Sequence, residues 1–478
     1  MWCKLSHVCR RWRQLIYSSA LHLHIHILCT SGTPVVGTLD HLPPLPLLVE
    51  YPRNASSNLS RFLGSISLSK EDELGIYHAI RLRDRVRKID LYIPPSILHK
   101  FLVLMGESFL TLEHLSLSFT VDEIATLILP NKFLAPNLYH LSLIGIRLPK
   151  RLRLLSSAFS LVTLVLEKIG ASGYFRPRIL VARLRSLPQL EQLSIGFSIP
   201  IPRPSAEGRL LGERGTPVML SNLKILIFRG VNAYLECLVS QIMAPLLERL
   251  DVSVFNQIAF TMPHLSSFVN GTEKIKYPSS AVVLFGDEAS IILGHRSMKW
   301  SDSDVVRFTL HVLCKLIDWQ IDCAAQICSA IMPALSGIET LTLNYICNGW
   351  NVLTESDLQS NEIEGTAWHD LFRPFIGVKV ICIDHSLSEE LSRALEADGI
   401  GSNPGFLTGL QKVECEYKGA HRDHLFSSFI NARRGAGLPV SLQLPPPPPL
   451  PLPPPPPPPP FLNIDPPLLS GPFLEGTS

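Results

Sequence analysis

One spacing of apolar residues recurs through most of the chain and limits what it can fold into. In its clearest form the spacing is Leu-x-x-Leu-x-Leu, as at Leu112, Leu115 and Leu117. Residues i and i+2 of an extended strand point to the same side, so Leu115 and Leu117 would share one buried face. The clear copies begin at Leu112, Leu138, Leu161, Leu190, Leu223 and Leu247, and weaker copies begin at Val86, Ile338, Val378 and Leu410.

The interval between these copies predicts the architecture. From Val86 to Leu247 they start 23 to 33 residues apart, which is the interval of a leucine-rich repeat built from one strand and one return segment. Stacked repeats bury a continuous core, so the 478 residues need no division into separate globules. We therefore expect an α/β fold: an irregular leucine-rich-repeat solenoid with a parallel sheet.

The expected irregularity comes from the turns after the strands. Repeats of this kind commonly place Asn or Cys three positions after the last strand leucine, where the side chain bonds to the backbone. Here these positions are Ile146, Ile169, Val231, Phe255 and Ile346. Apolar packing must close the turns instead.

Return helices and one departure from the repeat are also predicted. Apolar residues at helical spacing indicate helices within 97–105, 234–242 and 386–397. The repeat is hard to follow between 265 and 310, where Ala281–Phe285 and Ser290–Leu293 flank Gly286-Asp-Glu and predict a hairpin.

Composition restricts the function classes. The net charge is +2, although residues 81–185 hold 16 Lys/Arg against 7 Asp/Glu. A solvated face explains this basic stretch, and a surface for an acidic partner is the alternative. Nucleic-acid binding is not expected, because interleaved aromatic residues and a recognised module are missing.

The ten cysteines show no C-x-x-C pair, no zinc-type spacing and no disulfide framework. A reducing, intracellular compartment, cytoplasm or nucleus, therefore fits best. Neither a secretory leader nor an apolar run long enough to cross a bilayer is present, so no membrane association is expected.

The sequence offers little for catalysis or for metal binding. Phosphate-loop, dinucleotide-binding, zinc-protease and nucleophile-elbow motifs are absent, so we expect neither an enzyme nor a cofactor. His22, His24 and His26 alternate with apolar residues and would share one strand face. A divalent metal could bind there, but no carboxylate or cysteine completes the set, and a polar strand face is favoured.

A protein-binding surface is the more direct expectation. The residues between the buried leucines should face outward along the sheet and form a broad concave patch suited to a protein partner. The candidate face consists of His114, Ser116, His140, Ser142, Gln192, Ser194, Arg249, Asp251, Thr340 and Thr342.

The N-terminal segment adds a resemblance to a known family. Leu5–Tyr17 has helical spacing, and its Cys9-Arg10-Arg11-Trp12 resembles the second half of an F-box. The following 21–28 and the segments 314–320, 368–379 and 429–440 resemble F-box proteins abundant in mushroom-forming (basidiomycete) fungi. The Leu-Pro-x-Glu segment that opens the motif is not found ahead of Leu5, so only the second half is expected here.

The resemblance implies a non-enzymatic role. Such a protein is the substrate-recognition adaptor of an SCF-type cullin-RING ubiquitin ligase: the F-box binds a Skp-type adaptor and, through it, the cullin, while the repeats hold the protein substrate. By the same resemblance, Val8, Cys9, Trp12 and Leu15 belong to the F-box helices, with Trp12 and Leu15 packing inside. The alternative is a free-standing interaction scaffold without ligase assembly.

The expected division of the chain follows from these patterns. Residues 1–28 hold the partial F-box and following strand, 29–75 a Pro-rich connector with a first irregular strand, and 76–442 the repeats.

Residues 443–478 form a low-complexity tail in which five and then eight consecutive prolines flank Leu450-Pro451-Leu452. Such a run forms a polyproline II rod, which SH3, WW or profilin-like domains can bind. A disordered tail without a dedicated partner is the other interpretation.

Overall fold

The computed structural model describes residues 9–18, 26–41, 44–51, 68–119, 127–149, 153–201, 216–255, 262–294, 306–314, 317–346, 365–397, 407–415 and 426–443. By contact density the chain divides into Met1–Leu444 and Pro445–Ser478. All described residues belong to the first of these units.

A single large sheet dominates that unit. Sixteen of the described strands form it in the order β1-β2-β3-β4-β5-β6-β7-β9-β11-β14-β13-β12-β15-β16-β17-β18, and β8 and β10 form a separate parallel pair. The strands are β1 (Ile27–Cys29), β2 (Leu47–Tyr51), β3 (Val86–Ile93), β4 (His114–Phe119), β5 (His140–Ile144), β6 (Thr163–Ile169), β7 (Gln192–Phe197), β8 (Val218–Met219), β9 (Ile225–Gly230), β10 (Ile242–Met243), β11 (Arg249–Phe255), β12 (Ser280–Gly286), β13 (Ala289–Gly294), β14 (Val306–Leu313), β15 (Thr340–Ile346), β16 (Val380–Ile383), β17 (Lys412–Cys415) and β18 (Ser441–Gln443).

Helices occupy most of the described return segments, because a parallel strand can be reached only by a crossover connection. They are α1 (Arg10–Ser18), α2 (Val35–His41), α3 (Lys70–Arg81), α4 (Pro95–Leu104), α5 (Arg153–Ser157), α6 (Pro177–Leu184), α7 (Asn232–Val239), α8 (Pro263–Asn270), α9 (Ile317–Ala330), α10 (Met332–Leu335), α11 (Gly365–Phe372), α12 (His385–Ala397) and α13 (Ser427–Gly435), with a 3₁₀ turn at Ala171–Gly173.

The repeated leucines form the core. Every copy of the Leu-x-x-Leu-x-Leu spacing supplies a strand, and Leu115, Leu141 and Leu164 are fully buried in one cluster shared with helices α2 to α13. Burying one such side chain contributes about 1.5–3 kcal/mol. The predicted helices are confirmed as α4, α7 and α12. Hence the local spacing in the sequence fixes both the strands and their buried face.

The N-terminal part differs from the prediction in one respect. Strands β1 and β2 already belong to the sheet, with Ile27 paired to Leu47, and helix α2 lies between them, where only a Pro-rich connector was expected. The prolines explain this helix, because Pro34 immediately precedes it and the segment Val35–His41 contains none. Proline is well tolerated at a helix start and disruptive further inside.

The predicted hairpin is confirmed, and it changes the strand order. β12 pairs antiparallel with β13, and β13 pairs antiparallel with β14. β14 then pairs with β11, and β12 pairs with β15, so three strands are inserted in reverse order between two repeats. The buried Gln320 holds the insertion: its Nε2 donates to the carbonyl oxygens of Gly286 at 2.6 Å and Cys314 at 2.7 Å.

Apolar packing closes most of the turns after the strands, as predicted. Ile146, Ile169 and Val231 are buried, whereas Ile346 is exposed. Asparagine is used on the opposite side, ahead of the strand: Asn137 Nδ2 donates to the carbonyl oxygen of Leu110 at 2.7 Å. Asn222 makes the equivalent bond to Pro188 at 2.9 Å.

Candidate functional site

Two rows of side chains run across the outer face of the sheet, which is the face opposite the buried leucines. The first row joins positions at the starts of strands, and the central row lies two residues further along each strand. The first row is Lys88, His114, His140, Thr163, Gln192, Ile225 and Arg249. The central row is Glu50, Asp90, Ser116, Ser142, Val165, Ser194, Ile227, Asp251, Thr309, Ile292, Val282, Thr342, Cys382, Glu414 and Gln443.

The structure aligns most of the predicted face residues. His114, His140, Gln192 and Arg249 lie in the first row, and their partners two residues later lie in the central row. Thr342 continues the central row, but the inserted strands β14, β13 and β12 separate it from Asp251. The candidate face is thus continuous, with its last pair of residues displaced by the insertion.

The two histidines of the first row form a stacked pair. The ring centroids of His114 and His140 are 4.1 Å apart and the ring planes differ by 2°. Tyr139 meets His114 edge-on at 6.3 Å. Burial, with the neighbouring His140 and Lys88 as lesser causes, lowers the pKa of His114 to about 4. Burial also lowers the pKa of His140. Both rings are neutral near pH 7 and can stack without charge repulsion.

Two predicted face residues are largely covered. Ser194 is only 1% exposed, and its Oγ donates to Glu167 Oε1 at 2.9 Å. Ser142 is 8% exposed. Short side chains between longer neighbours on a pleated surface are covered by them, so the expectation that every residue between the leucines faces outward does not hold here.

Several charges on this face are already paired. Arg249 Nε and its terminal nitrogen lie 2.9 Å and 2.8 Å from Asp251 Oδ2. Lys88 Nζ lies 2.9 Å from Glu50 Oε1 and 4.0 Å from Asp90 Oδ2. Such half-exposed pairs contribute about 0–1 kcal/mol each, and they leave these parts of the surface nearly neutral.

Apolar side chains interrupt the polar rows near the middle of the face. Val165, Ile225 and Ile227 are partly exposed and lie between the polar residues of the two rows. Their positions follow from the spacing that begins at Leu161 and Leu223, so the sequence held the signal for them. The inserted strands contribute Thr309, Ile292 and Val282 to the central row. The spacing of the repeats does not indicate how these strands pair.

The predicted F-box residues lie on or beside helix α1. Val8 is outside the described residues, and Cys9 is exposed. Trp12 is 50% and Leu15 57% exposed, so the expectation that both pack inside is wrong. Neither residue belongs to the buried cluster formed by the sheet and the other helices. Helix α1 is amphipathic as predicted, and Trp12 and Leu15 on its apolar side are exposed.

Other predicted features have mixed outcomes. His22 and His24 lie outside the described residues, as do residues 444–478 of the tail, and His26 is exposed beside β1. Within the described ranges, no three His, Cys, Asp or Glu side chains are grouped to hold a metal ion. None of the eight described cysteines forms a disulfide. Among the described helices, none has the length and apolarity needed to cross a bilayer.

Comparisons with known proteins place few further limits. No family model matches the chain, and no curated protein matches it. Among solved structures, the chain is similar to the leucine-rich repeat-containing protein LegL7 from Legionella pneumophila, with 11% sequence identity and a TM-score of 0.26. That match covers 86% of this chain and 97% of LegL7.

Proposed function

We propose that this chain is a non-enzymatic protein-interaction scaffold that binds a protein partner through the outer face of its sheet. The observation that carries the proposal is the central row, which runs without a break from β2 to β18 along the face opposite the core. Repeat proteins use such extended surfaces to bind other proteins.

The chemistry of the face supports a protein partner. The apolar side chains of Val165, Ile225 and Ile227 lie near its centre, on either side of strand β7, and the His114–His140 pair and the Arg249–Asp251 pair lie further out. An apolar centre with a polar rim is the usual composition of a protein interface. Paired charges at the rim add specificity more than affinity.

A charge placed in the apolar centre tests this proposal. Proteins cross-linked to the wild-type chain in host extract are compared with those cross-linked to Ile227→Glu and to the control Val103→Glu. Val103 is 68% exposed on α4. We expect Ile227→Glu to lose partners that the control keeps, with both variants retaining the wild-type circular dichroism. Identical partners for all three proteins would contradict the proposal.

The finer proposal is a substrate-recognition adaptor of an SCF-type cullin-RING ligase. It rests on the F-box resemblance and on the exposure of Trp12 and Leu15 on α1, which offer contact area to a Skp-type adaptor. Large exposed aromatic and aliphatic side chains are typical anchors of an interface. In this role the outer face would hold the substrate.

Binding to the purified Skp-type adaptor of the host tests the finer proposal. The comparison uses the 478-residue chain, a version extended with a complete F-box, and the variant Trp12→Ala/Leu15→Ala. We expect both unmutated forms to bind, the extended form more tightly, and the double variant to bind at least about tenfold more weakly, which corresponds to about 1.4 kcal/mol. If neither unmutated form binds, the adaptor role is lost and the scaffold remains.

The alternative to ligase assembly is a scaffold tethered by its tail. The proline run from Pro445 to Pro460, broken only at Leu450 and Leu452, has the composition of ligands for SH3, WW or profilin-like domains. Purified profilin and a set of SH3 and WW domains are titrated with the whole chain and with a chain ending at 444. Binding that requires the tail would favour this alternative, and no binding would oppose it.

A further inference from the structure

The short strands β8 and β10 form a two-stranded parallel pair apart from the large sheet. The N–H groups of Val218 and Leu220 donate to the carbonyl oxygens of Gln241 and Met243, each at 2.8 Å. Successive residues of a strand turn their N–H and C=O groups to opposite sides. Ile242, which lies between Gln241 and Met243, therefore presents its N–H and C=O on the side of β10 that faces away from β8.

The next return segment does not continue this pair as a third strand. After α8, the N–H groups of Ile275 and Lys276 donate to the carbonyl oxygen of Thr272 at 3.1 Å and 3.0 Å, and these bonds form a turn. The segment leads to β12, which lies three places from β11 in the large sheet because of the inserted strands. A groove is left between β10 and α8.

This groove is apolar and has a volume of about 450 Å³. Its lining comes from the uninterrupted described ranges 216–255 and 262–294, and those lining residues include no Asp, Glu, Lys or Arg. Met219 is 53% and Met243 47% exposed, and the register of the pair places them side by side. Methionine side chains adapt to the shape of a partner. The largest apolar residues of the lining are Met219, Val239, Ile242, Met243, Pro245 and Phe268.

We propose that an extended apolar segment of a partner protein binds in this groove as a third strand beside β10. Its backbone bonds to the N–H and C=O of Ile242. Alternate side chains of the segment point into the groove toward Val239 and Phe268, and the intervening ones lie against Met243. This surface lies among the return segments and does not depend on the function proposed for the outer face.

The backbone edge of β10 is the reason for an extended occupant. A helix bonds its N–H and C=O groups internally, so it cannot pair with Ile242. An extended chain presents these groups at the interval of a strand. Strand addition to a sheet edge is a recurring mode of peptide recognition, in which backbone bonds give affinity and pockets for alternate side chains give specificity.

Fluorescence anisotropy of the whole chain with a short labelled peptide of alternating valine and threonine tests the proposal, because both residues favour extended structure. Two matched probes carry N-methyl groups on every valine or on every threonine. Each methylation removes the N–H groups along one edge of the peptide only. We expect one methylated probe to bind like the unmodified peptide and the other to bind about tenfold or more weakly.

Equal binding of the two methylated probes would overturn strand addition. No binding of the unmodified peptide at about 1 mM would also overturn it.

A double variant of the chain locates the probe. Met219→Lys/Met243→Lys places charge beside the groove at two exposed positions and should weaken binding about tenfold or more. The control is Leu74→Lys/Leu110→Lys, because these leucines are 55% and 56% exposed elsewhere. The control should bind like the wild type, and both variants should keep the wild-type circular dichroism. Equal weakening by the two variants would contradict the proposal.

The outer face is tested separately with the same probe. Ile227→Glu, the variant of the outer face, should bind the peptide like the wild type. Loss of binding in this variant, with Met219→Lys/Met243→Lys unaffected, would place the peptide on the outer face and overturn the assignment to the groove.

Discussion

At the scale of single residues, backbone conformation and the space around Cα restrict some positions to glycine. Gly286 ends β12 with φ of +151°, and a Cβ added there would overlap the carbonyl oxygen of Ile346. Its N–H donates to Gln320 Oε1 at 3.0 Å. The end of the inserted hairpin is therefore packed backbone to backbone.

We expect Gly286→Ala to lower the free energy of unfolding by about 3 kcal/mol, from the unfavourable φ and the overlap. The control is Gly37→Ala in helix α2, where an added Cβ meets nothing within 4 Å, and where alanine should be neutral or slightly stabilising. Urea unfolding measures both. Equal effects of the two substitutions would contradict the role assigned to Gly286.

The His114–His140 pair predicts a pH dependence. Burial holds the pKa of His114 at about 4, against an ordinary value of 6.5, so the unfolded chain takes up protons first as the pH falls. Its contribution to stability is therefore complete above pH 6.5 and is lost as the pH falls from about 6.5 to about 4. Lys88 opposes protonation of both rings, whereas Asp90 favours it for His140.

The double variant His114→Gln/His140→Gln should lose less stability than the wild type between pH 7 and pH 5, both measured by urea unfolding. Histidine proton chemical shifts against pH give the pKa values directly. Normal pKa values for both rings would refute the prediction.

At the scale of elements, helix α8 begins on a carboxylate supplied by its neighbour. Glu236 of α7 is 1% exposed and accepts the N–H of His264 at 2.8 Å and of Leu265 at 2.9 Å. Burial raises its pKa, while these two hydrogen bonds act in the opposite direction. An acid at this position satisfies otherwise unpaired donors of the first turn.

We expect Glu236→Gln to destabilise the protein by about 1–3 kcal/mol. The amide is uncharged, and it has one oxygen where the carboxylate offers one to each N–H group. Glu273→Gln is the control, because Glu273 is exposed after α8 and its substitution should change stability by less than about 0.5 kcal/mol. The thermal unfolding midpoints of both variants are compared with that of the wild type. A wild-type midpoint for Glu236→Gln would exclude the capping role.

At the scale of the whole molecule, the contact density separates Met1–Leu444 from Pro445–Ser478. Proline lacks the N–H needed for a strand ladder, so the repeats should fold without the proline run. We expect a chain ending at 444 to keep the thermal midpoint of the full chain. A chain ending at 440 also loses β18, which pairs with β17, and should melt at a lower temperature. A large loss in the first truncation would contradict this division.

How far the sequence predicts the fold depends on the range of the interactions involved. The strands of the repeats, and the side of each strand that is buried, follow from alternation between neighbours such as Leu115 and Leu117. The same alternation places His114 and His140 in one row, and it also places Ile225 and Ile227 on the outer face. All of these depend on residues one or two positions apart.

Only the tertiary structure decides the rest, because it depends on partners far apart in the chain. The order β11-β14-β13-β12-β15 requires pairing across the insertion. The coverage of Ser194 comes from residues such as Glu167 in the preceding repeat, and the exposure of Trp12 reflects where α1 lies. The sequence by itself determined the repeat and its two faces, through local spacing. Long-range packing decided which outward residues are covered and how the strands are ordered.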